Sequence, residues 1–295
     1  MQTNTKSPIA WANKGTQILN HCYGNNCDRF PVNIQEFSIE WSKNIDREEP
    51  ISTVAGRDFD EGIEGCLIQS PKTRKEWGIF YNKNIDHTGR VRFTIAHELG
   101  HYILHRNSLS IKQINCTQDD IERWDQEHDM REYEANIFAA TLLMPLDDFR
   151  KQIPERQKTD LNQLSQISRR YDVSLLATTL RWLDYTTTRS VLVLSRDGFI
   201  LWSKSSKTAF KSGAFIKTRN LPPIQVPKNS PLALNSEGSL LHSEASWFPE
   251  IVHEESIISQ KHDLCISLLT LEKHIGKTES EKEPEDLLDY FQRPR

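Results

Sequence analysis

The sequence predicts a mixed α+β protein with more than one domain. Segments with helical periodicity fill most of the first 185 residues, and short strand-like runs interrupt them between Gly56 and Asn82. From Ser190 onward, hairpin patterns replace the helical ones. At 295 residues the chain also exceeds the size of a typical single domain.

The composition excludes several classes of protein. The mean hydropathy is −0.61 and no apolar run approaches membrane-spanning length, so we expect no membrane association. The N-terminus lacks the basic-then-apolar pattern of a secretory signal. Five scattered cysteines favour reduced thiols and a cytoplasmic location over a disulfide framework. A net charge of −4 gives no support to wholesale nucleic-acid binding.

The first 82 residues predict two helices followed by two strands. Residues 8–21 form the first helix, and residues 31–44 form the second with Asn33 as its cap. The runs EGCLI and EWGIFYN are typical of short strands, and the turn-like SPKTRK separates them.

The middle of the chain is predicted to be helical. RFTIAHELGHYILHR, residues 92–106, forms a helix to about Leu104. The acidic segment 116–129 is typical of a loop or a frayed helix. MREYEANIFAATLLM is strongly helical and ends at Pro145, and residues 161–185 form two helices separated near Asp172.

The last third predicts a small α+β or β-rich domain. SVLVL and FILWSKS flank a DG turn, and ESIISQ–KHD–LCISLLTLEK indicates a second hairpin. LPPIQVPKNSP between them is predicted to be a loop, and the acidic tail is expected to fray.

The helix of residues 92–104 carries an H-E-x-x-H motif, HELGH. Residues four apart share one helix face, so His97 and His101 can direct two neutral imidazole nitrogens at one ion. Glu98 is rotated by about 100° and lies beside the ion, where its carboxylate can take a proton from water. Two imidazoles and a carboxylate suit zinc and leave a fourth position for water.

The third ligand must come from further along the chain. His105 lies roughly 12 Å along the helix axis from His97, so a structural role or support of a ligand suits it better. Glu132 falls on the inward side of the next helix, and we take it as the third ligand with Glu134 as the fallback. Asn136, one turn after Glu132, can hold a ligand histidine by its second ring nitrogen.

Three segments together resemble the ImmA/IrrE family of zinc metallo-endopeptidases over roughly residues 30–150. They are RFTIAHELGHYILH, WGIFYN and the E-x-x-A-N-x-F-A-A-x-L-L-M-P run from Glu132 to Pro145. The resemblance implies a zincin-like, thermolysin-like minimal protease domain. It also implies one Zn²⁺ per chain on His97, His101 and Glu132, with Glu98 as the catalytic carboxylate.

The resemblance also shapes the predicted domain organisation. Residues 1–155 are the metallopeptidase domain, and 156–187 are a helix-turn-helix-like helical segment. Residues 188–280 are a C-terminal sensor or docking domain, which is GAF-like in some family members. Residues 281–295 are an acidic tail expected to be disordered.

These observations predict a zinc-dependent endopeptidase. Family members cut transcriptional repressors or related regulators, which implies a repressor as the protein substrate and control of mobile-element or stress-response genes. The candidates for stabilising the oxyanion are His128, Tyr102 and Tyr171. If EWGIFYN lies at a sheet edge above the cleft, it could accept an extended substrate by strand addition.

The alternative is a DNA-binding or sensor regulator whose metal site is structural or vestigial. Residues 161–185 resemble a helix-turn-helix, with Ser174 capping the second helix and Thr178, Thr179 and Arg181 facing an operator. The opposing interpretation packs this amphipathic pair against the protease core. Positive charges there are nearly balanced by aspartates and form no basic stripe, so DNA is the less favoured partner.

Overall fold

A computed structural model describes residues 7–24, 29–60, 62–108, 113–117, 130–218, 221–234, 236–243, 246–259 and 264–272. These residues divide into two compact units. The first unit takes its residues from Met1–Ile153 and Asn162–Arg181, and the second from Pro154–Leu161 and Trp182–Arg295. In the described part of the chain, no helix is both long and apolar enough to cross a membrane.

The first unit begins with two capped helices, α1 (Pro8–Tyr23) and α2 (Ile34–Ile45). The Ser7 side chain accepts a hydrogen bond from the Ala10 amide at 3.3 Å, and Pro8 follows at the first helical position. Asn33 accepts from the amide of Glu36 at 3.4 Å. This confirms the predicted cap of the second helix, which begins after Asn33 rather than at residue 31.

A four-stranded sheet follows, formed by β1 (Ile51–Arg57), β2 (Ile63–Gln69), β3 (Trp77–Asn82) and β4 (Gln113–Thr117). Its order is β1-β3-β2-β4, with β1 parallel to β3 and the other pairs antiparallel. The EWGIFYN strand is therefore internal, because β3 pairs on both sides. The expectation that it could serve as an edge for a substrate is wrong, since neighbouring strands already use its main-chain groups. Among the described strands, the edges of this sheet are β1 and β4.

Helix α3 (Thr88–Leu104) carries the HELGH motif and is buried along most of its length. It packs against β2, β3 and helix α4 (Met130–Leu143). Gly100 makes the approach of the two helices possible, because a Cβ there would lie 3.1 Å from Phe138 Cδ1 and 3.2 Å from the Ala135 Cα. The sequence therefore brings the start of α4 within reach of the histidines.

Three further helices are α5 (Leu146–Gln152), α6 (Leu161–Tyr171) and α7 (Leu175–Leu183). The predicted break between α6 and α7 is confirmed at Asp172, which has a φ of +48°. The Asp172 carboxylate accepts from the hydroxyl of Thr88 at 2.9 Å, which ties the break to the start of α3. Ser174 caps α7 by accepting from the amide of Ala177 at 3.1 Å.

The side chains proposed to face an operator are buried instead. Thr178 and Thr179 are fully buried, and their hydroxyls donate to the carbonyls of Ser174 and Leu175 one turn earlier. The Arg181 Nε donates to the Met144 carbonyl at 2.9 Å. Side chains held in this way cannot reach base edges, so the structure favours the packing interpretation of α6 and α7.

The second unit contains a six-stranded antiparallel sheet of order β7-β6-β5-β10-β9-β8. Its elements are β5 (Ser190–Arg196), β6 (Phe199–Ser205), α8 (Lys207–Lys211), β7 (Ile224–Gln225), β8 (Gly238–His242), β9 (Val252–Ser259) and β10 (Leu264–Leu271). Both predicted hairpins are confirmed. Positive φ angles of +52° at Asp197 and +76° at Gly198 form the tight turn expected of the DG pair.

Candidate metal centre

Helices α3 and α4 bring His97, His101 and Glu132 to one point. The Nε2 atoms of the two histidines lie 2.9 Å apart. The Glu132 Oε2 atom lies 2.9 Å from His97 Nε2 and 3.2 Å from His101 Nε2. Both imidazoles are fully buried, and the Glu132 side chain is 14% exposed.

The other ring nitrogens show how the two imidazoles are oriented. The Nδ1 of His97 lies 2.9 Å from the Oδ1 of Asn136, and an amide oxygen can only accept. The Nδ1 of His97 can donate to this oxygen, and an imidazole with one proton on Nδ1 has its lone pair on Nε2. The Nδ1 of His101 is likewise engaged, at 3.0 Å from the Nδ1 of His105.

This donor set fits a metal ion. One ligand atom from each of the three residues lies within 4.8 Å of the others, and two imidazole nitrogens with a carboxylate oxygen are a donor set that could hold a metal ion. The distances between them, 2.9–3.2 Å, are those of neighbouring ligands around one small ion.

The protonation states agree with a ligand role. Burial lowers the pKa of His101 to about 4 and outweighs the opposing effect of Glu132, so this imidazole is neutral near pH 7. Burial opposes ionisation of Glu132, yet its hydrogen bonds with His101 and His97 hold the pKa of its carboxyl well below the usual range.

Glu98 lies beside this group, against the sheet. Its side chain is fully buried, and a Cβ built on Gly65 of β2 would lie 3.6 Å from Glu98 Oε1. Gly65 pairs with Cys116 of the edge strand β4. One ligand atom from each of His97, Glu98 and Cys116 lies within 4.8 Å of the others. Glu98 thus lies next to His97 of the three-residue group and next to Cys116 of the edge strand β4. Neither Gly65 nor Cys116 was singled out by the sequence, because β4 was not predicted.

His105, predicted to support a ligand, and Glu134, the fallback ligand, form a pair next to His101. The Nε2 of His105 lies 2.9 Å from the Oε2 of Glu134, and burial lowers the pKa of His105 against the effect of that carboxylate. Glu134, the fallback ligand, is therefore directed at His105 rather than at the three-residue group.

The proposed oxyanion stabilisers are not brought to the group. The hydroxyl of the fully buried Tyr102 donates to the Glu49 carbonyl at 2.8 Å. The hydroxyl of Tyr171 donates to Asp148 Oδ2 at 2.6 Å. His128, the third candidate, lies outside the described residues.

Comparison with known proteins gives two findings. Residues 47–183 match the sequence model of the IrrE N-terminal-like domain. The chain is also similar to the metallopeptidase ImmA of Bacillus subtilis (strain 168), with 34% identity over 85 residues. That match covers 29% of this chain and 44% of the relative, so the chain spans less than half of the relative's length.

Proposed function

We propose that this protein is a zinc-dependent endopeptidase that hydrolyses a regulatory protein, because residues 47–183 match the IrrE N-terminal-like domain and 85 residues are similar to the metallopeptidase ImmA. One observation carries the proposal. Two oriented imidazoles and a carboxylate converge from two helices, next to a buried glutamate that is not one of the three. A base beside a metal group is what hydrolysis requires.

His97, His101 and Glu132 would hold the ion. Zinc suits two nitrogen donors and one oxygen donor, and three protein ligands are typical of catalytic rather than structural zinc sites. When bound, zinc lowers the pKa of a water towards about 7 and polarises the substrate carbonyl. Asn136 would fix the His97 ring by accepting from its Nδ1, which would leave the lone pair of Nε2 available to hold the ion.

Glu98 is the proposed general base and acid. Its carboxylate accepts the proton as water attacks the scissile carbonyl and then donates it to the departing nitrogen. Gly65 of β2 lets α3, which carries Glu98, approach the sheet closely, because a Cβ there would lie 2.5 Å from Thr94 Cγ2. Burial keeps bulk water away from the Glu98 carboxylate, which strengthens its electrostatic interaction with the reacting atoms.

The edge strand β4 is the proposed binding site for the substrate backbone. In the four-stranded sheet β4 is an edge, and its Cys116 reaches Glu98 and His97. A substrate segment that adds to β4 as a further strand would pass its peptide bonds over the metal group. Strand addition recognises main-chain groups, so an extended segment of the substrate is required.

We further propose a transcriptional repressor as the substrate, whose cleavage relieves repression of mobile-element or stress-response genes. This rests on the family resemblance. The rival function, operator binding with a structural metal, is disfavoured by the burial of Thr178, Thr179 and Arg181. A structural site also has no use for Glu98.

The test is co-expression with regulators encoded beside this chain, with cleavage products identified by mass spectrometry. The wild type should yield a shortened regulator, and Glu98→Gln should yield none while keeping its zinc. Glu40→Gln changes an exposed glutamate on α2 in the same way and should cleave normally. Equal cleavage by Glu98→Gln and wild type would refute the catalytic assignment.

A further inference from the structure

A chain of two hydrogen bonds leads away from His101 on the side opposite the metal group. We infer that His105 and Glu134 are positioning residues that fix the ring of His101 for metal binding. The inference rests on the proposed metal centre and extends it beyond the three ligands. It assigns a role to two residues that touch neither the ion nor a substrate.

The hydrogen-bond donor and acceptor in each pair follow from where a bound ion would lie. The Nε2 of His101 faces Glu132 and His97, so in the metal-binding form it presents a lone pair and the proton lies on Nδ1. That proton is donated to the Nδ1 of His105 over 3.0 Å. His105 then carries its own proton on Nε2 and donates it to the Oε2 of Glu134 over 2.9 Å. The two hydrogen bonds thus run in one direction, from His101 through His105 to the carboxylate of Glu134.

The main chain and the packing hold this arrangement in place. His105 is the C-cap residue that follows α3, and its amide donates to the carbonyl of His101 at 2.8 Å. The residue is 4% exposed, so its ring has little freedom to turn away. Glu134 belongs to α4, the helix that also supplies Glu132 and Asn136. Helix α4 thus provides the proposed ligand Glu132, the partner of His97 and the partner of His105.

The two histidines are supported by different chemistry. His97 is backed by the neutral amide of Asn136, whereas His101 is backed through His105 by the negative charge of Glu134. A carboxylate behind an imidazole makes it a stronger electron donor and fixes its tautomer. We therefore expect His101 to depend on its supporting pair for metal affinity as well as for orientation.

The test measures zinc affinity of the full chain by competition with a chromogenic chelator. His105→Ala should bind zinc about 10- to 100-fold more weakly, as is typical when an outer partner of a ligand is removed. His105→Gln should recover most of the loss, because its amide oxygen can still accept from His101. Glu134→Ala should weaken binding in the same direction. The matched control is Glu40→Gln, on an exposed residue that pairs with Lys43, and it should leave the affinity unchanged.

A second readout separates positioning from general stability. In ¹⁵N-histidine spectra of the zinc-loaded wild type, His101 should be protonated on Nδ1 and bound through Nε2. His105→Ala should shift these resonances, while those of His97 stay in place. Zinc affinities of His105→Ala and Glu134→Ala equal to that of Glu40→Gln would overturn the inference. So would a His105→Gln variant as weak as His105→Ala.

The outcomes distinguish this inference from the proposed function. If the wild type binds zinc and the variants follow the expected order, the positioning role stands even when no peptide bond is cut. If the wild type binds zinc and the variants match it, the inference alone fails. If the wild type binds no zinc, the metal centre and its supporting pair are both refuted.

Discussion

Gly65 is the position where a single added methyl group should most directly disturb the proposed base. A Cβ there would lie 2.5 Å from Thr94 Cγ2 and 3.0 Å from the carbonyl oxygen of Phe80. Neither neighbour can yield easily. Thr94 is held by the hydrogen bond of its hydroxyl to the Arg90 carbonyl at 3.0 Å, and the Phe80 oxygen belongs to a central strand. In Gly65→Ala, α3 must therefore move away from β2 and carry Glu98 with it.

The expected magnitude follows from this overpacking. Extra methyl groups in a packed core cost about 1–3 kcal/mol, which corresponds to a fall in Tm of several degrees for a unit of this size. Cleavage and zinc affinity should both fall, because α3 carries the ligands His97 and His101 as well as Glu98. Thermal unfolding measures the change in stability, chelator competition measures zinc affinity, and the rate of cleavage of the proposed regulator measures activity.

Thr94→Ser supplies the matched rescue. Serine keeps the hydroxyl that bonds to Arg90 and removes the methyl group that collides with the new Cβ. Gly65→Ala combined with Thr94→Ser should recover part of the lost Tm and part of the lost cleavage. If Gly65→Ala has the Tm and cleavage rate of the wild type, or if Thr94→Ser restores nothing, the proposed contact of α3 with β2 does not control Glu98.

Three further predictions concern His101, Arg181 and binding to duplex DNA. The pKa of His101 in the metal-free fold lies below the usual histidine value, so the unfolded chain binds its proton more readily. The metal-free protein should therefore lose stability as pH falls from about 6.5 towards 4, on the order of 3 kcal/mol. Urea unfolding at a series of pH values measures this loss. A His101→Gln variant whose stability depends on pH as steeply as that of the wild type would contradict the prediction. Arg181→Ala should lower the Tm by removing the bond to the Met144 carbonyl. The wild type should show no salt-sensitive duplex binding, and its appearance at low ionic strength would revive the operator hypothesis.

The helices and hairpins with clear periodicity could be predicted from the sequence, and the remaining elements show why others could not. Strand β1, ISTVAGR, is a mostly exposed edge strand with one fully buried residue, Ile51, so it lacks an alternating apolar pattern. Strand β4 lies next to a polar, acidic segment that obscured it. Pro145 ends one helix but also precedes α5, where its extended backbone begins the next helix.

The parts of the site that depend on the geometry of a single helix could be predicted from the sequence. The spacing of His97 and His101 determines that both rings share a face, and the wheel position of Glu132 favoured it over Glu134. The contact of Glu134 with His105 depends on how α3 and α4 approach each other. That approach is set by the absence of a side chain at Gly100, a packing effect that no single-helix pattern contains.

The most direct test of the metal centre is zinc stoichiometry by native mass spectrometry of protein purified without chelator. The wild type and Glu98→Gln should each carry one zinc per chain, and Glu132→Gln should lose it under the same conditions. A wild type that takes up no zinc even when the metal is supplied, or a Glu132→Gln variant that keeps its ion, would contradict the account.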